Sequence, residues 1–234
     1  MPVISFLSGK GGVGKTTAAM ILANELARHT PITVIDADPN RPFSNWINLG
    51  NQHPNIRVID HTAVTQDNVE DVIATAAADT TFVIVDLEGV RSLLNSYAAS
   101  ASDLIIIPTQ GSQLDAVEAA RAIKLAQKLQ SPIPYKLLLT RTNSAIRSRT
   151  LVNIENQFND REIPIFATQL NERDAFRAMF SFGLGLDELD PEEVPNIAKA
   201  QVNARAFAKE VLEDLRRAGQ GPNPALEEAS HVQS

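Results

Sequence analysis

Gly9-Lys10-Gly11-Gly12-Val13-Gly14-Lys15-Thr16 fills every position of the pattern G-x-x-x-x-G-K-[ST], with a second lysine one residue after the first glycine. An apolar run, Val3 to Leu7, leads into it, and the stretch from Thr17 to Ala27 continues as a helical pattern, so the segment reads as strand, loop and helix. That context separates a phosphate loop from a glycine-rich turn with no ligand. Without β-carbons, Gly11, Gly12 and Gly14 let the backbone curl so that N–H groups through Val13 point inward at phosphate oxygens, next to the positive end of the helix that begins near Lys15. Lys15 then reaches β- and γ-phosphates, the Thr16 hydroxyl is placed to ligate Mg²⁺, and Thr17 to bond the α-phosphate.

The rest of the 234-residue chain is consistent with one α/β domain, long enough to bury about 70% of its unfolded surface without a disulfide or metal staple. There are no cysteines, which excludes disulfides, thiolate metal sites, iron–sulfur ligation and a cysteine nucleophile. The four histidines, His29, His53, His61 and His231, lack ligand spacing and read as surface or loop residues. No apolar stretch approaches the ~20 residues that span a bilayer, and a strand begins almost at once, so the expectation is a cytoplasmic protein without a signal peptide. A net charge of −7 means that any attraction to nucleic acid must be local.

Apolar runs at Val3–Leu7, Ile32–Ile35, Ile56–Ile59, Phe82–Val85, Leu104–Ile107, Lys136–Leu139 and Ile163–Phe166 predict strands. Helical periodicity predicts helices over Thr16–Arg28, Asn68–Ala77, Ser92–Ala99, Leu114–Leu129, Arg149–Phe158, Arg173–Phe180 and Asn196–Arg217. The alternation implies a mostly parallel, helix-flanked central sheet with ligands at the strands' carboxyl ends. Gly183–Pro195 reads as a loop, and residues 219–234, rich in Pro, Gly and Glu, as a mobile acidic tail following an ATPase domain over 1–218.

Three carboxylates stand at strand ends. Asp36 and Asp38, in Asp36-Ala-Asp-Pro-Asn-Arg-Pro42, follow the second strand; Asp38 is the candidate for orienting an attacking water, with Asp36 holding the Mg²⁺ hydration shell. Both also fit Asx turns or helix caps. Phe82-Val-Ile-Val-Asp86 ends an apolar strand in a single acid, as a Walker-B aspartate is delivered to a metal, although buried strands also end in capping acids. Arg141, after the Leu137-Leu-Leu-Thr140 strand, lies where an adenine could sit, and Arg173 where it could meet a switch. Phe43 and Trp46 read as packing residues.

Lys10 through Thr17, Asp36-x-Asp38-Pro39, Val-Ile-Val-Asp86 and Ser102-Asp-Leu-Ile-Ile-Ile-Pro-Thr109 together resemble the ParA/MinD family of deviant Walker-A ATPases, over roughly Met1 to Arg217. The resemblance implies a P-loop NTPase fold, ATP and Mg²⁺ as ligands, and an ATP-sandwich homodimer in which Lys10 reaches the partner's nucleotide. It further implies nonspecific DNA binding in the ATP state, hydrolysis stimulated by a ParB-like or adaptor protein, and a nucleoid-associated location. The absence of cysteine speaks against the iron–sulfur branches and the two tyrosines against a tyrosine-cluster kinase. The acidic C-terminus speaks against membrane targeting. With the phosphate loop at residue 9, an N-terminal helix-turn-helix module is not expected.

What remains is similar to the short ParA type, including plasmid partition ATPases and VirC-like relatives that assist conjugative DNA transfer; Asp36 to Trp46 and Asn171 to Met179 also look like segments of these relatives. Glu88 departs from the small or proline residues more common after the Walker-B strand. DNA phosphates would need a basic patch, and Arg147, Arg149, Lys199, Arg205, Lys209, Arg216 and Arg217 are the candidates. The same residues also fit solvated helix faces or partners of Glu210 and Glu213. Three roles stay open: a partition ATPase, an accessory factor for transfer, and a P-loop ligase, ranked last because Lys10 suits a nucleotide sandwich better than a small-molecule pocket.

Overall fold

A computed structural model of the chain describes residues 1–50, 53–89, 92–129 and 132–219. Seven strands, β1 (Val3–Ser8), β2 (Ile32–Asp36), β3 (Ile56–Ile59), β4 (Phe82–Gly89), β5 (Leu104–Thr109), β6 (Tyr135–Thr142) and β7 (Leu170–Asn171), form one sheet in the order β3-β2-β4-β1-β5-β6-β7. Every pairing is parallel. All six residues of β1 and all six of β5 are buried, which is why these strands read as unbroken apolar runs rather than alternating ones.

Among the described residues eight α-helices cover the two faces. Helices α1 (Lys15–Ala27), α2 (Pro42–Leu49), α7 (Asp174–Phe182) and α8 (Ile197–Arg217) pack on one side around Ile4, Phe6, Leu22, Phe82 and Phe207. Helices α3 (Val69–Asp79), α4 (Leu93–Ser100), α5 (Gln113–Gln127) and α6 (Arg149–Asn159) pack on the other around Leu7, Ile35, Val85, Ile105 and Phe158. Side chains alternate across each strand, so Ile4 and Phe6 serve one core while Val3 and Leu7 serve the other. Each such fully buried side chain contributes about 1.5–3 kcal/mol.

One expectation from the sequence needs correction. Ile163–Phe166 is not a strand; Leu137 and Ile165 make only an isolated bridge, in which Pro164 O accepts from Leu137 N and Phe166 N donates to Leu137 O. Pro164 has no N–H to give, and the next two donors, Ala167 N and Thr168 N, turn to the Glu210 carboxylate of α8, both at 2.8 Å. The seventh strand therefore comes later, at Leu170–Asn171. Its backbone also faces α8: Asn203 Oδ1 accepts from Asn171 N and Asn203 Nδ2 donates to Gln169 O. Lys136 fixes Glu210 from beneath, with 2.8 Å contacts to both Glu210 and Asp214.

Helix α2 was not anticipated. Pro42 opens it at its first turn, and Phe43, Trp46 and the partly buried Ile47 make a three- and four-residue apolar spacing that buries it against α1 and the sheet. Phe43 and Trp46 are packing residues, in edge-to-face contact at 6.2 Å. Of the tail expected to be mobile, only Gly219 is described; residues 220–234, His231 among them, lie outside the described residues. Among the described residues no helix is long and apolar enough to cross a membrane.

Candidate nucleotide site

The loop from Gly9 to Gly14 leaves β1 at its carboxyl end and turns into α1. Gly12 (φ 80°) and Gly14 (φ 89°) take left-handed backbone angles that an L side chain rarely adopts. The loop is braced from three directions. Thr140 Oγ1 donates to Val13 O at 2.6 Å, Gln110 Nε2 to Gly12 O at 2.8 Å, and Ser8 Oγ to Lys10 O at 2.9 Å. Gly9 lies so close to α5 that a β-carbon there would stand 2.4 Å from Glu118 O.

Lys15 and Lys10 leave this loop in opposite directions. Lys15 is buried, its Nζ donating to Asp86 Oδ1 at 2.7 Å and lying 3.9 Å from Asp38 Oδ2. Thr16 Oγ1 donates to the other Asp86 oxygen at 2.7 Å. Lys10, its side chain 35% exposed, instead meets Asp115 Oδ1 on the first turn of α5 at 2.5 Å. Burial pushes the Asp115 carboxyl up, but the Lys10 ammonium and the Ser112 hydroxyl more than offset it and hold the group below the usual carboxylate range. Leu114 (63% exposed) and Val117 lie on the same end of α5, and Leu93 and Tyr97 expose apolar surface on α4.

Register places the acids together: Asp36 pairs directly with Asp86 across β2 and β4. Asp36 Oδ2 accepts from Ser44 N at 2.9 Å and from Ser44 Oγ at 3.0 Å, tying β2 to the first turn of α2, while Oδ1 is buried without a hydrogen-bond partner. Burial raises the Asp36 pKa to about 6, with the Asp86 and Asp38 charges adding to the rise and the Ser44 bonds opposing it. The Asp38 carboxylate is steadied from below: Oδ1 accepts from Asn40 N and from Asn40 Nδ2, both at 2.9 Å, and Asn45 Nδ2 of α2 donates to Asn40 O at 3.0 Å.

This donor set fits magnesium. Thr16 and Asp86 offer hard oxygen atoms at one spot, and the orphaned Asp36 oxygen beside them is a buried acceptor without a donor. Among the described residues no cluster of three or more histidines or acids encloses a metal by itself.

From the loop a cavity of about 460 Å³ extends past Thr17, Asp38, Pro42 and Arg141 to Arg173, Phe176 and Phe180 of α7. Arg141 sits on a break in the β6–β7 register with φ 52°. Arg173 lines the same space, its Nη2 donating to Asn171 Oδ1 at 3.2 Å. The apolar α7 wall was missed from sequence, although Phe176 and Phe180 recur at helical spacing. Asp115 was missed too, and Ser112-x-x-Asp115, whose Ser112 hydroxyl accepts from Asp115 N, is a helix-start signal that could have found it.

The candidate DNA-contact residues do not converge. Arg147 and Arg149 sit at the start of α6, at the same end of the sheet as the phosphate loop, and Arg147 pairs with the buried Glu155. Lys199, Arg205, Lys209, Arg216 and Arg217 belong to α8 on the opposite face. Arg217 faces Asp214 and Glu213 and borders a groove with Asp103, Leu104 and Pro134, near the strands' amino ends. The His29 pKa is lowered by burial and by Arg28, and none of His29, His53 and His61 lines the cavity.

A parallel sheet carrying this cradle at the end of its first strand is the architecture of the ParA/MinD class of P-loop ATPases. The septum site-determining protein MinD of Pyrococcus horikoshii OT3, solved with Mg-ADP, superimposes with a TM-score of 0.75 over 94% of this chain and 99% of that one, at 17% identity. The VirC1 protein family model matches residues 1–228, and the chain belongs to that family. It is 36% identical to Protein ParA of Rhizobium radiobacter over 223 residues, 93% of this chain and 99% of the relative. To protein virC1 of Rhizobium rhizogenes it is 28% identical over 226 residues, covering 91% and 95%.

Proposed function

We propose that the chain is a Mg²⁺-dependent ParA-type ATPase that forms an ATP-sandwich homodimer, binds nonspecific DNA in that state and hydrolyses ATP to partition or position plasmid DNA or other cargo. The observation that carries this reading is the divergence of the two loop lysines. One is committed to a buried carboxylate cluster; the other is about one-third exposed at the rim, on the side of α5 that carries exposed apolar side chains. Lys10 lines the cavity from its rim, where its partly solvated ammonium is open to a nucleotide facing from outside. Two facing nucleotides repel, and a cation contributed by each partner offsets that charge and the charge that develops on the transferred phosphoryl group.

In this reading the backbone of Gly11, Gly12, Val13 and Gly14 receives the phosphates, and Thr17 bonds the α-phosphate. Lys15 would hold the β- and γ-phosphates, Thr16 and Asp86 would hold the metal, and Asp36 would accept from its water shell. Magnesium supplies charge neutralisation on the phosphate oxygens. Asp38, steadied by Asn40, orients the attacking water. Arg141 and the apolar wall of Phe176 and Phe180 receive the base. DNA phosphates are met by Arg147 and Arg149, near the nucleotide end, ahead of Arg205, Arg216 and Arg217. The protein acts in the cytoplasm, over the nucleoid in the ATP state, with a ParB-like or adaptor protein stimulating turnover.

The test is binding to nonspecific duplex DNA with ATP, ADP or no nucleotide, across a salt series and with mass measured in parallel. ATP-only, salt-sensitive binding by a dimer is the expected outcome. An ATP dimer indifferent to DNA would favour a second reading, an accessory ATPase that recruits components for conjugative DNA transfer, which the VirC1 family match supports.

A further inference from the structure

Trp46 is 2% exposed, yet its one polar atom is not left over: Nε1 donates to Met179 O, in the last turn of α7, at 2.9 Å. That carbonyl also receives the closing N–H groups of α7 from Gly183 and Leu184. A few residues on, the two helix ends interlock. A β-carbon on Gly50 would stand 2.1 Å from Gly183 O, and one on Gly183, whose φ is 69°, would stand 2.6 Å from Gly50 N. The C-terminal ends of α2 and α7 are therefore held together by a buried indole bond and by contact too close for any side chain.

The same two helices also reach the nucleotide cavity. Helix α2 opens at Pro42 on its rim, and the residue before Trp46, Asn45, holds Asn40, which holds the Asp38 carboxylate. Helix α7 presents Phe176 and Phe180 to the cavity. A continuous route of packed and hydrogen-bonded groups thus joins the base-side wall to Asp38 without passing through the phosphate loop.

Building on the ATPase reading above, we propose that Trp46 is a positioning residue: by clamping α2 to α7 it lets a base seated against Phe176 and Phe180 set the placement of the Asp38 carboxylate. Trp46 is buried and does not line the cavity. It acts through Asn45 and Asn40, making turnover responsive to the base as well as to the triphosphate. A displacement of about 1 Å in a group that orients a nucleophile lowers the rate by as much as ~100-fold, so a slackened clamp is expected to be felt in kcat.

Trp46 is the only tryptophan in the chain, so its emission reports on the clamp directly. In wild-type protein, ATP is expected to shift Trp46 emission, whereas inorganic tripolyphosphate, which fills the loop but carries no base, leaves it unchanged. Equal responses to the two, or no response to ATP that is bound, would overturn the inference. In kinetics, Trp46→Phe keeps the buried ring but loses the N–H, and Asn45→Ala breaks the next link while retaining the fluorophore. Both are expected to lower kcat by about tenfold with KM within about twofold, which a purely structural role would not produce. An unchanged kcat in a folded Asn45→Ala protein would also overturn the clamp. Absence of ATP turnover by the wild-type protein, with or without DNA, would instead defeat the ATPase reading on which the clamp rests.

Discussion

Lys15 and Lys10 leave the same glycine loop, five residues apart in sequence, and enter different electrostatic worlds. Lys15 is buried with Asp86, in a cluster where Asp36 already carries a raised pKa. Lys10 meets Asp115 at the rim, with a third of its side chain in solvent. In the first setting both partners are buried; in the second only Asp115 is, so a departing Lys10 gains water while the carboxylate it leaves keeps the Ser112 hydroxyl as its side-chain partner. The comparison teaches that the loop combines a fixed cation for its own nucleotide with a second, partly solvated one that a competing anion could draw away from Asp115.

The largest effect is expected at the fixed end. Lys15→Ala should weaken ATP binding by at least ~100-fold, about 3 kcal/mol by titration calorimetry, and should lower the melting temperature of the nucleotide-free protein because Asp86 loses its counter-ion. Retained affinity would mean that the loop does not hold the triphosphate through Lys15. Asp38→Ala should leave ATP binding intact and slow hydrolysis by ~100-fold, so that an ATP-bound dimer persists in sedimentation; rapid return to monomer would remove Asp38 from catalysis.

Asp36 gives a test that depends on pH. Its folded-state pKa, about 6 against an ordinary 3.8, means that the folded protein holds the proton more tightly than the unfolded chain, so this group subtracts stability as pH rises through that interval. Asp36→Asn should therefore stabilise the apo protein by about 1–3 kcal/mol above pH 6, with the gain fading toward pH 4, while abolishing magnesium-dependent turnover. A gain independent of pH in chemical denaturation would show that charge burial is not its origin.

At the exchangeable end the changes are smaller. Lys10→Ala should alter ATP affinity by less than ~5-fold but raise the dimer dissociation constant by about tenfold or more; sedimentation matching wild type would end the sandwich model. Smallest of all, Asp115→Asn should free Lys10 and lower the ATP concentration for half-maximal dimer by ~3-fold, with a modest fall in melting temperature at neutral pH because the folded state holds the Asp115 carboxyl below its usual range. A higher ATP requirement would mean that Asp115 presents Lys10 and does not restrain it.

The sheet, its parallel character and the position of the cradle were legible because β1, β2, β4 and β5 are apolar on both faces and each delivers a chemically distinctive residue at its end. Local signals failed where tertiary bonds decided. Ile163–Phe166 has strand composition, but Pro164 removes a donor and Glu210, more than forty residues later, takes the next two. Helix α2 was hidden by its turn-rich start, Asp38-Pro-Asn-Arg-Pro42, although proline at the first turn is also a helix signal. The partnership of Lys10 with Asp115 joins residues over a hundred positions apart, brought together only by the crossing of β1 beside β5. The basic residues of α6 and α8 looked equivalent in sequence and lie on opposite faces of the sheet.

The side chains that α8 lays along β7 bear on how copies of the protein can stick together. Glu210 consumes the N–H groups of Ala167 and Thr168, and Asn203 bonds Asn171 N and Gln169 O. An incoming strand would find this margin of the sheet already occupied. Filament growth by adding strand to strand is thereby blocked on one side, and any such growth is confined to the β3 margin, where the exposed Arg57 stands as a charged gatekeeper.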